Sequence, residues 1–186
     1  MSEPAIRLIA AVAALIIMSI GFAHAQTVQK VEVYEFGVYI SAAETADGLT
    51  RRGAVHTVTD RVELVQPTRT VIARIGTYFG IRYRLIGTPR GMAVPITVVE
   101  RFPKPGVRPA GVDQPFTDDA YTTVQRIGDG LFHLASFKQP SELVPGVWTI
   151  ELWINGKKLA EEKFNVILPP IADRQSPALL GTGKVG

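Results

Sequence analysis

Near the C-terminal end, Gly146-Val147-Trp148-Thr149-Ile150-Glu151-Leu152-Trp153-Ile154 runs into Asn155-Gly156 and then into Lys157 to Val166. Apolar and polar residues alternate on both sides of the Asn-Gly pair, a dipeptide that accepts the positive backbone angles of a tight hairpin turn. Such a ribbon is only marginally stable alone, so it must lay one face on other strands. Trp148, Ile150, Leu152 and Ile154 are the apolar face of its first strand. A two-residue Asn155-Gly156 loop would set Trp148 opposite Lys163 and Ile150 opposite Glu161. A longer, odd-length loop with a bulge brings Trp148 to the side of Ala160, Phe164 and Val166 instead. A one-residue slip flips a strand's whole face, so core burial favours the longer loop. Trp148 is then buried and Trp153 faces the other way.

The remaining chain supplies partners for this hairpin. Tyr78 to Ile86 alternates most cleanly: Phe79, Ile81, Tyr83 and Leu85 form an apolar side, and Tyr78, Arg82 and Arg84 the other. Gly87 to Gly91 reads as a turn, after which Val94, Ile96, Val98 and Phe102 are expected to return as an antiparallel partner. Earlier, Tyr34, Phe36, Val38 and Ile40 share one face of a strand from Val28, with Val31, Val33 and Glu35 on the other. Gly37 is a candidate bulge there. Ser41 to Gly53 lacks a period and reads as a connection; Val55 to Val65 reads as one strand, ended by Pro67. Val71 and Ile72 begin a short extended piece. Pro103 to Pro115 carries Pro103, Pro105, Pro109 and Pro115, so it is neither a central strand nor a helix. Strands resume at Tyr121 to Ile127 and Leu131 to Phe137 around Gly128-Asp129-Gly130. About eight short strands with turns between them, and no helix period, predict an all-β, immunoglobulin-like antiparallel sandwich.

The ends carry other information. Arg7, an apolar run from Leu8 to Ile17 extending to Phe22, and Ala23-His24-Ala25 have the form of a cleaved signal peptide over residues 1–25. The run is shorter than the roughly 20 residues a spanning helix needs, so no stable membrane anchor is expected after cleavage. An exported chain is expected, periplasmic or alternatively extracellular. The domain is assigned to residues 26–168 and a disordered Pro/Gly-rich tail to 169–186. The chain has no cysteine, which removes thiol nucleophiles and thiolate metal sites; a domain of this length builds a core without disulfides. A net charge of +3, spread along the chain, does not make the basic stripe of a nucleic-acid binder.

Four segments together resemble the family of domain of unknown function 3859. They are Val33-Tyr34-Glu35-Phe36-Gly37-Val38-Tyr39, Ile75-Gly76-Thr77-Tyr78-Phe79-Gly80-Ile81-Arg82-Tyr83, Val99-Glu100-Arg101-Phe102-Pro103, and Leu143-Val144-Pro145-Gly146-Val147-Trp148 with Gly156-Lys157-Lys158-Leu159-Ala160-Glu161. The resemblance implies an exported, single-domain bacterial β-protein and carries no activity with it.

Motifs for chemistry are sparse. His56 and His133 are the histidines beyond the leader, too few for the three or four convergent ligands of a zinc site. Ser41, Ser136, Ser141 and Ser176 lie in neither Gly-x-Ser-x-Gly nor Ser-x-x-Lys. Asp118-Asp119 and Glu161-Glu162 are neighbours whose side chains diverge on a strand, and Asp118-Asp119 reads as loop punctuation. No catalytic, cofactor or metal residues are assigned. The patterned charge is Arg82 with Arg84, extended by Arg74 and Arg90, with Tyr78 as a stacking surface; Lys104 and Arg108 offer contacts on the proline loop. The bland alternative is a solvated face whose cations pair with neighbouring acids. The expected function is a non-catalytic binding or accessory module of the cell envelope, its partner a protein or glycan. The alternative is an envelope hydrolase using acidic residues near the proline loop, for which a pocket holding Asp113, Asp118 or Asp119 beside His133 would speak. A third route is strand addition at an open sheet edge.

Overall fold

The hydrophobic alternation resolves into two sheets facing each other. The computed structural model describes residues 27–41, 44–59 and 61–170. The expected leader over 1–25 and most of the expected tail over 169–186 lie outside the described residues. Eleven strands are described: β1 (Thr27–Ser41), β2 (Glu44–Leu49), β3 (Val55–Thr59), β4 (Val62–Gln66), β5 (Thr70–Ile72), β6 (Tyr78–Thr88), β7 (Ala93–Arg101), β8 (Asp118–Arg126), β9 (Gly130–Ser136), β10 (Gly146–Ile154) and β11 (Lys157–Ile167). One sheet has the order β4-β1-β6-β9, the other β5-β11-β10-β7-β8, and β2-β3 is a separate hairpin. Pairing is antiparallel except for β5 with β11.

Burial explains the strand assignments. Phe79, Ile81, Tyr83 and Leu85 of β6 are buried, as their alternation requires. Val94, Ile96 and Val98 of β7 are buried too, but β7 does not pair with β6. Residues 89–92 carry the chain from one sheet to the other, so the two apolar faces meet across the core and the expected hairpin is replaced by a crossover. The chain crosses back in the same way from β8 to β9. Phe79 sits at the centre, with ring centroids 5.2 Å from Phe164, 5.3 Å from Phe137 and 5.6 Å from Trp148. The pairs with Phe164 and Trp148 are edge-to-face and add to the area term.

Three local expectations are corrected. In β1 the pairing with β6 shifts between Val33 and Glu35, so Tyr34 is extra and the inward phase changes. Val31 and Val33 face the core before the bulge, and Phe36 and Val38 pack against it afterwards, while Tyr34 and Ile40 are exposed. Val55 to Val65 is two strands in different sheets, and residues 44–49 of the expected connection form β2. Backbone pairing with β3 supplies order there that hydrophobic period does not announce.

The C-terminal hairpin keeps the expected faces by another route. Ile154 pairs Lys157 across a two-residue turn, in which Asn155 and Gly156 have φ of 50° and 73°. The ladder then shifts between Leu152 and Trp153, and Trp148 comes opposite Phe164. The extra residue sits inside the second strand instead of lengthening the loop. Trp148 is buried, and Trp153 lies on the outer face, donating Nε1–H to Glu151.

Candidate functional site

At the edge of the sandwich where β8 and β9 end their sheets, inward positions stop being apolar. Glu100 follows Val98 on the inner side of β7 and pairs with Asp119 of β8; Tyr121 pairs with Val98. His133 lies inward on β9, paired with Ile81. Close approach of β9 to β6 depends on Gly80, where an added Cβ would lie 2.0 Å from the His133 carbonyl oxygen. These residues line a cavity of about 300 Å³. The proline loop closes one side with Val107 and Pro109, and the 3-10 turn Pro140–Glu142 another. Phe102, Phe116 and Trp148 form its aromatic wall, Phe102 lying 4.7 Å from Trp148 and 5.9 Å from Phe116 between centroids.

The polar groups are held by one another. His133 Nε2 is 3.0 Å from Glu100 Oε1, and Nδ1 is 2.9 Å from the Tyr121 hydroxyl. A neutral imidazole satisfies both contacts: Nε2–H donates to the carboxylate, and Nδ1 accepts from the phenol. The chain joins the two sheets across their open edge. Asp119, only 4% exposed, accepts from Arg52 N at 3.0 Å, Ala120 N at 2.7 Å and the Thr50 hydroxyl. Glu142 accepts from Lys138 N at 2.6 Å. Burial pushes the Glu142 carboxyl upward, outweighing the backbone N–H groups of Lys138 and Gln139, and the Glu100 charge pushes the same way.

Asp118 and Asp119 begin β8, so the expected loop is strand, and as strand neighbours they point to opposite sides. Asp118 pairs with Arg51 and Arg52 outside, while Asp119 turns toward the cavity. Hydrogen bonds from Arg52 and then Arg51 hold the Asp118 carboxyl below the usual carboxylate range, against partial burial. Together the two aspartates fasten residues 50–52, the turn after β2, onto the cavity rim.

A family model described as a domain of unknown function, DUF3859, matches residues 27–166. The chain belongs to that family. The DUF3859 domain is also similar to a crystal structure of an immunoglobulin-like protein from Pseudomonas aeruginosa, at 26% identity and a TM-score of 0.50. That match covers 76% of this chain and 99% of the other. The fold is thus an immunoglobulin-like β-sandwich, as the strand pattern implied. No curated protein matches the sequence.

The residues singled out for partner contact do not gather in the DUF3859 cavity. Arg82 and Arg84 do share the outer face of β6, but Arg82 pairs with Glu35 at 3.2 Å and donates to Val62 O, and the Arg84 guanidinium stands 5.6 Å from the Tyr34 ring centroid. Tyr78 is half-buried on the same strand. Among these, Arg82 fits the solvated, internally paired face. Lys104 and Arg108 are exposed on the proline loop, where Arg108 O receives Ser141 Oγ–H at 2.7 Å and Gln139 Nε2–H at 2.6 Å. Of the acids named for a hydrolase, Asp119 lines the cavity with His133, whereas Asp113 is exposed and Asp118 faces outward. His56 belongs to β3, whose side chains are outside the description. Sequence reasoning missed Glu100, Tyr121 and Glu142. The available signal was a carboxylate continuing the inward phase of Val94, Ile96 and Val98.

Proposed function

We propose that this domain is an exported, non-catalytic binding or accessory module of the cell envelope, periplasmic, with the β8–β9 cavity as its contact point. The leader-like N-terminus supports export. The observation that carries the binding role is a cavity of about 300 Å³ at the β8–β9 edge, where polar groups replace the core. Its volume is at the lower end of ligand pockets, and convergent polar groups on an apolar wall are what such pockets have. Both ring nitrogens of His133 and the Asp119 carboxylate are engaged by internal partners, which suits preorganised recognition better than proton transfer.

Recovery of partners from envelope extract tests the reading. Wild type is compared with Ala110→Trp, which plugs the cavity from an exposed loop position, and with Arg82→Glu/Arg84→Glu. Loss with Ala110→Trp alone supports the cavity; loss with the arginine variant alone moves the contact to the outer face of β6. Identical recovery by all three overturns both.

The co-location of Asp119 and His133 favours a second reading, an envelope hydrolase. Hydrolysis of an ester or glycoside panel that disappears in Asp119→Asn and in His133→Ala, with the fold intact, would replace the first reading.

A further inference from the structure

Resting on the cavity as a binding site, we infer that its ligand presents an organic cation, an ammonium or guanidinium group on an apolar stem. The argument is a balance of donors and acceptors. Among the described residues of the lining, Glu100, Asp119 and Glu142 bring three carboxylates against Lys138 as the one lysine or arginine. Asp119 and Glu142 are met by hydroxyl or backbone N–H donors, which carry no full charge. Glu100 is met by His133 through Oε1, and its Oε2 receives no donor from the described residues. An acceptor surplus in a partly desolvated site repels anions, and it is satisfied but not neutralised by the hydroxyl donors of a neutral polyol. It favours a ligand that brings donors and positive charge together, because such hydrogen bonds are about twice as strong as neutral ones.

The wall decides between a metal ion and an organic cation. Among the described residues no group of three or more His, Asp or Glu is arranged to hold a metal. Phe102, Phe116 and Trp148 instead line the cavity and offer apolar surface for a stem. A free organic amine and the lysine or arginine side chain of a partner protein share this chemistry.

The full-length exported protein is titrated with butylammonium and butylguanidinium, followed by Trp148 fluorescence and by amide shifts around His133. Pentanol and pentanoate serve as neutral and anionic counterparts, and a lysine-containing pentapeptide is compared with the free amine. Binding of the cations, weakened about tenfold by Glu100→Gln, which retains an acceptor for His133, supports the inference. Glu142→Gln should weaken it independently, and Arg82→Glu should not. Tighter binding of the peptide assigns a partner side chain, and of the free amine a small molecule. Equal binding of pentanol, or no effect of either glutamine variant, overturns the cation assignment while leaving a ligand cavity. Absence of binding by every probe, together with unchanged partner recovery by Ala110→Trp, overturns the cavity itself.

Discussion

The interior under the β10–β11 hairpin and the opening between β8 and β9 use the same sheets in opposite ways. Under the hairpin, Phe79, Phe137, Trp148 and Phe164 fill the space with rings whose centroids lie 5.2–5.6 Å apart. At the opening, Glu100, Tyr121 and His133 span the gap through two hydrogen bonds. Apolar burial contributes in proportion to area and tolerates no void. A hydrogen-bonded chain contributes little net energy but fixes positions, and here it borders a cavity of mixed polar and apolar lining. Stability is therefore carried by the ring cluster between the sheets, and the proposed contact point lies at the β8–β9 edge of the same sandwich.

That contrast can be broken most severely at the core. Tyr83→Asp puts a carboxylate where the side chain is 1% exposed, and it should abolish the cooperative thermal transition; Arg82→Glu, one residue away, should retain it. Equal melting temperatures would refute the inward phase of β6. Trp148→Ala should cost about 3–5 kcal/mol in urea denaturation, the range for a buried large aromatic. His133→Ala removes the strap, and a loss of about 1–3 kcal/mol is expected with the sheet pairing intact by circular dichroism. A cost as large as that of Trp148→Ala would erase the distinction between the two regions.

The finer tests act on the charges. Because the folded Glu142 carboxyl titrates above its ordinary value of about 4.5, the folded state holds its proton more tightly than the unfolded chain. Stability from this group is thus fully present below that value and falls as pH rises through the folded pKa. Glu142→Gln should remove the fall, so the stability difference should move in the variant's favour from about pH 4.5 upward in paired denaturation curves. Asp118→Asn should cost about 0–1 kcal/mol, since its arginine partners are roughly half exposed, yet hydrogen exchange around residues 50–54 should quicken. Unchanged exchange would mean that Asp119 alone holds the rim.

The sandwich could be read from particular residues because period-two patterning acts locally. Phe79, Ile81, Tyr83 and Leu85 announce an inward face whatever they pack on, and so do Trp148, Ile150 and Leu152. The β1 pattern misleads for a reason: the bulge at Tyr34 changes phase only when β1 is paired with β6. The site was harder to see. Arg82 and Arg84 read as one charged face whose cations pair with neighbouring acids or meet a partner, and only the pairing of β1 with β6 brings Glu35 to Arg82. Glu100, 33 residues before His133 in the chain, meets it only because their strands lie in facing sheets.

The sequence alone determined an all-β chain with a buried Trp148 face, an outward Arg82–Arg84 face and a family membership, since each rests on alternation or contiguous motifs. Only the tertiary structure decided that β6 and β7 oppose each other, that an internal bulge sets the hairpin register, and that three carboxylates and a histidine share one cavity. Those outcomes depend on which strands become neighbours across the core, and side-chain alternation leaves that choice open.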